Sequence, residues 1–204
     1  MIQVKITQAM KVNAIIAEKR TILALPKNGK DPTGVNAKRK WFFGYLGEFV
    51  VLDHAIRQGL KLSYKPIYDG QRHEVDITFY HLGKEIPVDV KTGSEGFHQL
   101  VSQPLQQYEK DSEYEKMLVI GVRINRQTQL GEIMGWCWKH ELRRATYEEE
   151  KKLNKGVAPG KAEHYMVRPY TDLYDTDSFF RGLGIGDQDI TWPEPFPEQV
   201  KLVG

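Results

Sequence analysis

The chain has 204 residues, 40% of them hydrophobic, and a formal net charge of +2. That suffices for one domain with a packed core. A single cysteine, Cys137, excludes an internal disulfide and a cysteine-rich zinc site, and no apolar run is long enough for a membrane span or a signal segment. A soluble, cytoplasmic protein is expected.

The near-neutral total hides an asymmetry. Before Glu48, nine basic residues stand against two acids; from Asp172 onward, two basic residues stand against seven acids. The basic third, with Lys27, Lys30, Lys38, Arg39 and Lys40, is what a phosphate backbone would meet. A plain solvated lysine surface is the alternative.

In chain order, residues 1–25 carry two patterns. Ile2, Val4 and Ile6 alternate like a strand, while Met10, Ala14, Ile15 and Ala17 suggest a helix. Residues 26–36 are a loop by composition. Residues 37–58 read as a helix stopped by Gly59. Trp41, Tyr45, Val51, Leu52 and Ala55 share a side of it with Glu48, so a carboxylate lies on the apolar part of the helix. Burying it requires a positive partner. A strand is predicted over 60–67, a helix over 97–110 despite Pro104, a fully buried strand over 116–124, and another strand over 131–139 with Trp136 and Trp138 on one face. A charged helix over 146–155, a short strand over 164–167 and a last helix over 178–183 follow. The six histidines have no zinc-site spacing, and no GxSxG elbow or Walker A sequence occurs.

Residues 72–92 carry the chemistry. Val75, Ile77 and Phe79 alternate with Glu74, Asp76, Thr78 and Tyr80; Ile86, Val88 and Val90 alternate with Asp89 and Lys91. Period-two alternation marks two half-buried strands, and His81-Leu82-Gly83-Lys84 suits the turn between them. With His81 facing Lys84, counting back puts Asp76 opposite Asp89 and Glu74 opposite Lys91. Two aspartates paired across strands repel unless a cation lies between them. Such oxygen ligands select Mg²⁺, Mn²⁺ or Ca²⁺. The competing reading is a Lys91–Glu74 ion pair with both aspartates solvated.

Glu48 on a helix, then Asp76, then Asp89-Val90-Lys91 after a short hairpin resembles the PD-(D/E)XK nuclease superfamily over residues 41–123. Val75 stands where Pro is usual, and Asp89 where Glu is commoner. The resemblance implies an α/β fold with a restriction-endonuclease-like core, a central mixed β-sheet flanked by helices. Residues 1–36 would be a basic extension, 41–124 the core, and 125–204 further strands and an acidic end of the same domain. It implies a DNA endonuclease leaving 5′-phosphate and 3′-hydroxyl ends. Asp76, Asp89 and the Val90 carbonyl would hold Mg²⁺ (Mn²⁺ substituting), with Glu48 in support and Lys91 beside the attacking water. Lys91-Thr92-Gly93 before a glutamine-rich segment is also similar to RecB-like exonucleases, which makes Gln103 a candidate supporting residue. Cutting both strands needs two sites, so a homodimer is expected. A DNA-binding module that keeps the fold without catalysis is the remaining alternative.

Overall fold

The computed structural model describes residues 1–24, 35–64, 75–96, 98–104, 117–155 and 164–184; side chains at 24, 35–40, 103, 104, 178 and 184 are not described. Both N-terminal patterns are used: β1 (Ile2–Lys5) runs straight into α1 (Gln8–Ala24). The helix α2 (Val35–Arg57) ends where Gly59 takes φ 71°. That left-handed conformation closes a helix, and glycine adopts it without a Cβ penalty.

β2 (Leu62–Tyr64), β3 (Ile77–His81), β4 (Lys84–Ser94), β6 (Leu118–Asn125) and β7 (Leu130–Trp138) join β1 in a six-stranded sheet, ordered β1-β7-β6-β4-β3-β2. Only β4 and β6 run parallel; the other neighbours are antiparallel. β6, with strands on both sides, is buried from Leu118 to Val122, as its unbroken apolar run predicts. The protein is therefore a mixed α/β fold.

The β3–β4 hairpin has the register counted from the sequence, from Ile77↔Val88 to His81↔Lys84. Leu82 and Gly83 both have positive φ, 50° and 74°. That pair makes a type I′ turn, which matches the right-handed twist of the strands. Gly83 fits it freely. Leu82 does not, and it is 66% exposed, so little packing compensates. Leu82→Asn is expected to stabilise the protein by about 1 kcal/mol, because asparagine tolerates this conformation. Urea unfolding reads this as a higher midpoint at an unchanged slope.

One face of the sheet is covered by the two long helices. Val88, Val90, Leu118, Ile120, Val122 and Ile133 form one core with Leu46, Phe49, Val50 and Ala14. α4 (Thr176–Gly184) adds Phe180 and Leu183 to it. The opposite face carries Val119 and Cys137, which pack with Leu100, Leu142 and Met166.

Here one expectation is overturned. Residues 99–104 are not helical but form β5 (Gln99–Pro104), the edge of a three-stranded sheet ordered β5-β9-β8, with β8 at Arg143–Arg144 and β9 at Tyr165–Pro169. Leu100 and Ser102 are buried on alternate positions, and Pro104 follows a register shift after Val101. Proline breaks a helix interior but is tolerated at an edge or irregularity of a sheet. Among the described residues a second sheet therefore covers this face; residues 97 and 105–110 of the expected helix lie outside the described residues. The predicted charged helix is α3 (Tyr147–Leu153), started by a reciprocal Thr146–Glu149 capping box. No described helix is long and apolar enough to cross a membrane.

Candidate active site

The site lies where β3 leaves β4. The paired run ends at Ile77↔Val88. One residue earlier, the Asp76 N–H donates to the Val88 carbonyl at 2.9 Å, and the Asp76 carboxylate (Oδ2) accepts from the Val90 N–H at 2.7 Å. On its other side Val90 pairs with Ile120 of β6; toward β3 the Asp76 side chain takes the place of a backbone partner. The counted Asp76–Asp89 ladder pair does not form; Asp76 instead reaches past position 89 to grip the backbone at 90. Glu74, proposed as the partner of Lys91, lies outside the described residues.

β4 alternates as predicted. Val88 and Val90 point into the helix-covered core, so Asp89 and Lys91 take the other face. Asp89 is 2% exposed. Its Oδ1 accepts from Lys91 Nζ at 2.5 Å, while Oδ2 is buried with no hydrogen-bond partner. The Lys91 side chain is 23% exposed. The lysine therefore pairs with a neighbour on its own strand.

Glu48 reaches this region from α2. A Cβ at Gly47 would stand 1.9 Å from Thr92 Oγ1, so only glycine lets this turn of the helix lie against β4. The next side chain, Glu48, accepts a hydrogen bond from the Tyr64 hydroxyl at 2.8 Å.

The four charged groups act on one another. Burial pushes the Glu48 carboxyl up to about 7; Asp89 adds to this, and the Tyr64 hydrogen bond and Lys91 oppose it. Asp76 is raised well above the usual carboxylate range, first by burial and then by Glu48 and Asp89, against the pull of Lys91 and the Val90 N–H. Burial disfavours the Lys91 ammonium, yet Asp89, Asp76 and Glu48 raise it above an ordinary lysine. Three carboxyl groups share one ammonium, so a proton or a cation is needed to balance them.

The donor set fits a hard divalent cation in kind: it is all oxygen, negative in excess, and includes the unpartnered Asp89 Oδ2. Among the described residues, no group of three or more His, Cys, Asp or Glu side chains is arranged as a metal site. Asp76 and Glu48 each use one named carboxylate oxygen in the bonds described above, Oδ2 toward the Val90 N–H and Oε2 toward the Tyr64 hydroxyl.

The fold thus gathers Glu48, Asp76, Asp89, Val90 and Lys91 at one end of the hairpin. Gln103 lies on β5, its side chain not described. Lys38, Arg39 and Lys40 lie near the start of α2 without described side chains, and Lys27 and Lys30 lie outside the described residues. Sequence reasoning missed Tyr64 and Thr92. Tyr64 shares a strand face with buried Leu62, and an inward tyrosine needs an acceptor for its hydroxyl; that signal could have found it. Comparison with family models and with curated proteins finds no match for this chain.

Proposed function

We propose that the chain is a Mg²⁺-dependent DNA endonuclease with a restriction-endonuclease-like core, hydrolysing phosphodiester bonds to 5′-phosphate and 3′-hydroxyl ends. The observation that carries this reading is the electrostatic unit of Glu48, Asp76, Asp89 and Lys91, drawn from one helix and both arms of a hairpin. A chain selected only for stability gains little by burying three carboxyl groups beside one lysine.

Asp76 and Asp89, with the Val90 carbonyl, are the residues to hold Mg²⁺ or Mn²⁺, and Glu48 supports them. When bound, the ion supplies Lewis acidity at the phosphate and lowers the pKa of water. Lys91 places a fixed positive charge where a phosphate oxygen gains negative charge. Glu48, near 7, can take a proton from water at neutral pH. Asp76, anchored on the Val90 N–H, fixes the spacing of the two hairpin arms. Lys40 precedes Glu48 by eight residues on α2, about 12 Å along the axis. In this reading the basic start of the helix meets the DNA backbone next to the cut. Two such sites in a homodimer would cut both strands.

One observation favours a second reading, a DNA-binding module without catalysis. The Lys91 ammonium already has an ion-pair partner, Asp89 at 2.5 Å. Supercoiled plasmid incubated with Mg²⁺, Mn²⁺ or EDTA separates the two. Metal-dependent nicking with 5′-phosphate ends is expected. Retained DNA binding with no cleavage under either metal would leave the binding module standing; linear and branched substrates then test for an exonuclease or a junction enzyme.

A further inference from the structure

We propose that Tyr64 is a positioning residue for the site, holding the Glu48 carboxylate in place through its hydroxyl. The inference rests on the reading of the site given above, and it adds a residue that the sequence pattern did not mark.

Tyr64 is fixed at several points. Its backbone pairs with Ile77, the residue after Asp76. Its ring meets Phe49, the residue after Glu48, edge-on with centroids 5.8 Å apart. Its hydroxyl donates to Glu48 Oε2 at 2.8 Å. The strand beneath it is tied down as well: Ser63 accepts from the Tyr80 hydroxyl at 3.2 Å, and the Tyr80 N–H donates to the Lys61 carbonyl at 2.9 Å. Tyr64 therefore stands on the strand neighbouring the one that starts after Asp76, and it reaches the acid of the helix above. Thr92 grips the same helical turn at Gly47 from β4. The acid of α2 is thus located against both arms of the hairpin, by contact at Thr92 and by a directional hydrogen bond at Tyr64.

The hydrogen bond does what contact alone does not. A glutamate side chain has three rotatable torsions, and burial alone does not choose among its rotamers. A donor from a rigid ring selects one carboxylate orientation. Such outer partners of ion-binding carboxylates typically matter by 10- to 100-fold in ion affinity or activity. The competing explanation is that Tyr64 packs on Phe49 and its hydroxyl merely takes the nearest acceptor. In that case the hydroxyl adds nothing to ion binding or to turnover.

Tyr64→Phe keeps the ring and removes the donor. Mn²⁺ binding is measured by calorimetry on wild type, Tyr64→Phe, Glu48→Ala and the double variant, with kcat and KM for plasmid DNA measured in parallel and thermal unfolding as the fold control. Tyr64→Phe is expected to weaken Mn²⁺ binding by about 10-fold and lower kcat similarly, with KM for DNA unchanged. In the Glu48→Ala background, which leaves no side-chain acceptor at 48, removing the hydroxyl should change neither quantity, because in this proposal Tyr64 acts through Glu48. Wild-type Mn²⁺ affinity and kcat in Tyr64→Phe, or losses that add in full in the double variant, overturn the proposal while leaving the nuclease reading intact. A wild-type protein that neither binds Mn²⁺ nor cleaves DNA overturns both.

Discussion

Lys91→Ala is expected to abolish DNA cleavage, by 100-fold or more, while leaving DNA affinity nearly unchanged. The lysine is not among the residues that would hold the ion or among the basic residues at the start of α2. Its charge matters where charge develops in the transition state, so its loss falls on kcat. The substitution also strands Asp89, whose only described ion pair is with Lys91, so folding is checked by circular dichroism at the assay temperature. Asp76→Asn should be equally inactive by another route, loss of ion affinity, and high Mn²⁺ should restore part of its activity. High Mn²⁺ should do nothing for Lys91→Ala. Plasmid nicking across a Mg²⁺ and Mn²⁺ titration makes the comparison. Lys91→Ala nicking at the wild-type rate would sink the mechanism and make the Lys91–Asp89 pair a structural feature.

Without divalent cations, the protein is expected to lose stability as the pH rises from about 5 to 8. The Glu48 carboxyl titrates near 7 in the folded chain and at the ordinary value of 4.5 once exposed. Between those values the folded state holds more protons than the unfolded one, so raising the pH favours unfolding. The contribution is complete below about 4.5 and is lost through about 7; at most it amounts to about 3 kcal/mol. Asp76, raised in the same direction, adds to the slope. Glu48→Gln should flatten the profile and make the cation-free protein more stable than wild type above pH 7. Adding Mg²⁺ at pH 8 should raise the Tm of wild type, by linkage, because the ion replaces the missing protons. Thermal unfolding at four pH values, with EDTA or Mg²⁺, tests all three statements. A wild-type profile parallel to that of Glu48→Gln would show that the carboxyl is not held protonated.

Much of the frame was legible because its signals are local. The hairpin register follows from alternation and a turn containing Gly83, and the end of α2 follows from Gly59. The unbroken apolar run of β6 announced a strand buried on both sides. What stayed hidden depends on distant partners. Gln99-Leu100-Val101-Ser102 can be drawn on a helix or a strand, and β9 decides it from the far side of the chain. The exit of Asp76 from the ladder was equally invisible, since counting assumes pairing continues, whereas the Asp76 side chain takes over from the backbone. The four charged residues of the candidate site stand out in the sequence because their types and order are distinctive. Tyr64 does not, because a tyrosine in a strand is ordinary until its acceptor is known.

The sheet order also bears on how the chain assembles. β3 and β4 are joined by a two-residue turn and can close on each other within microseconds, carrying Asp76, Asp89 and Lys91 with them. β1 has no such neighbour. Its partner is β7, and the paired residues Gln3 and Glu132 are 129 positions apart. At typical rates of synthesis β1 waits roughly 6–26 s before β7 exists, and the entropy of closing so long a loop delays the pairing further. The hairpin half of the site is thus an early product of folding, while the edge of the sheet is sealed last. During that interval β1, short and ending in Lys5, is poorly suited to recruit a strand from another chain.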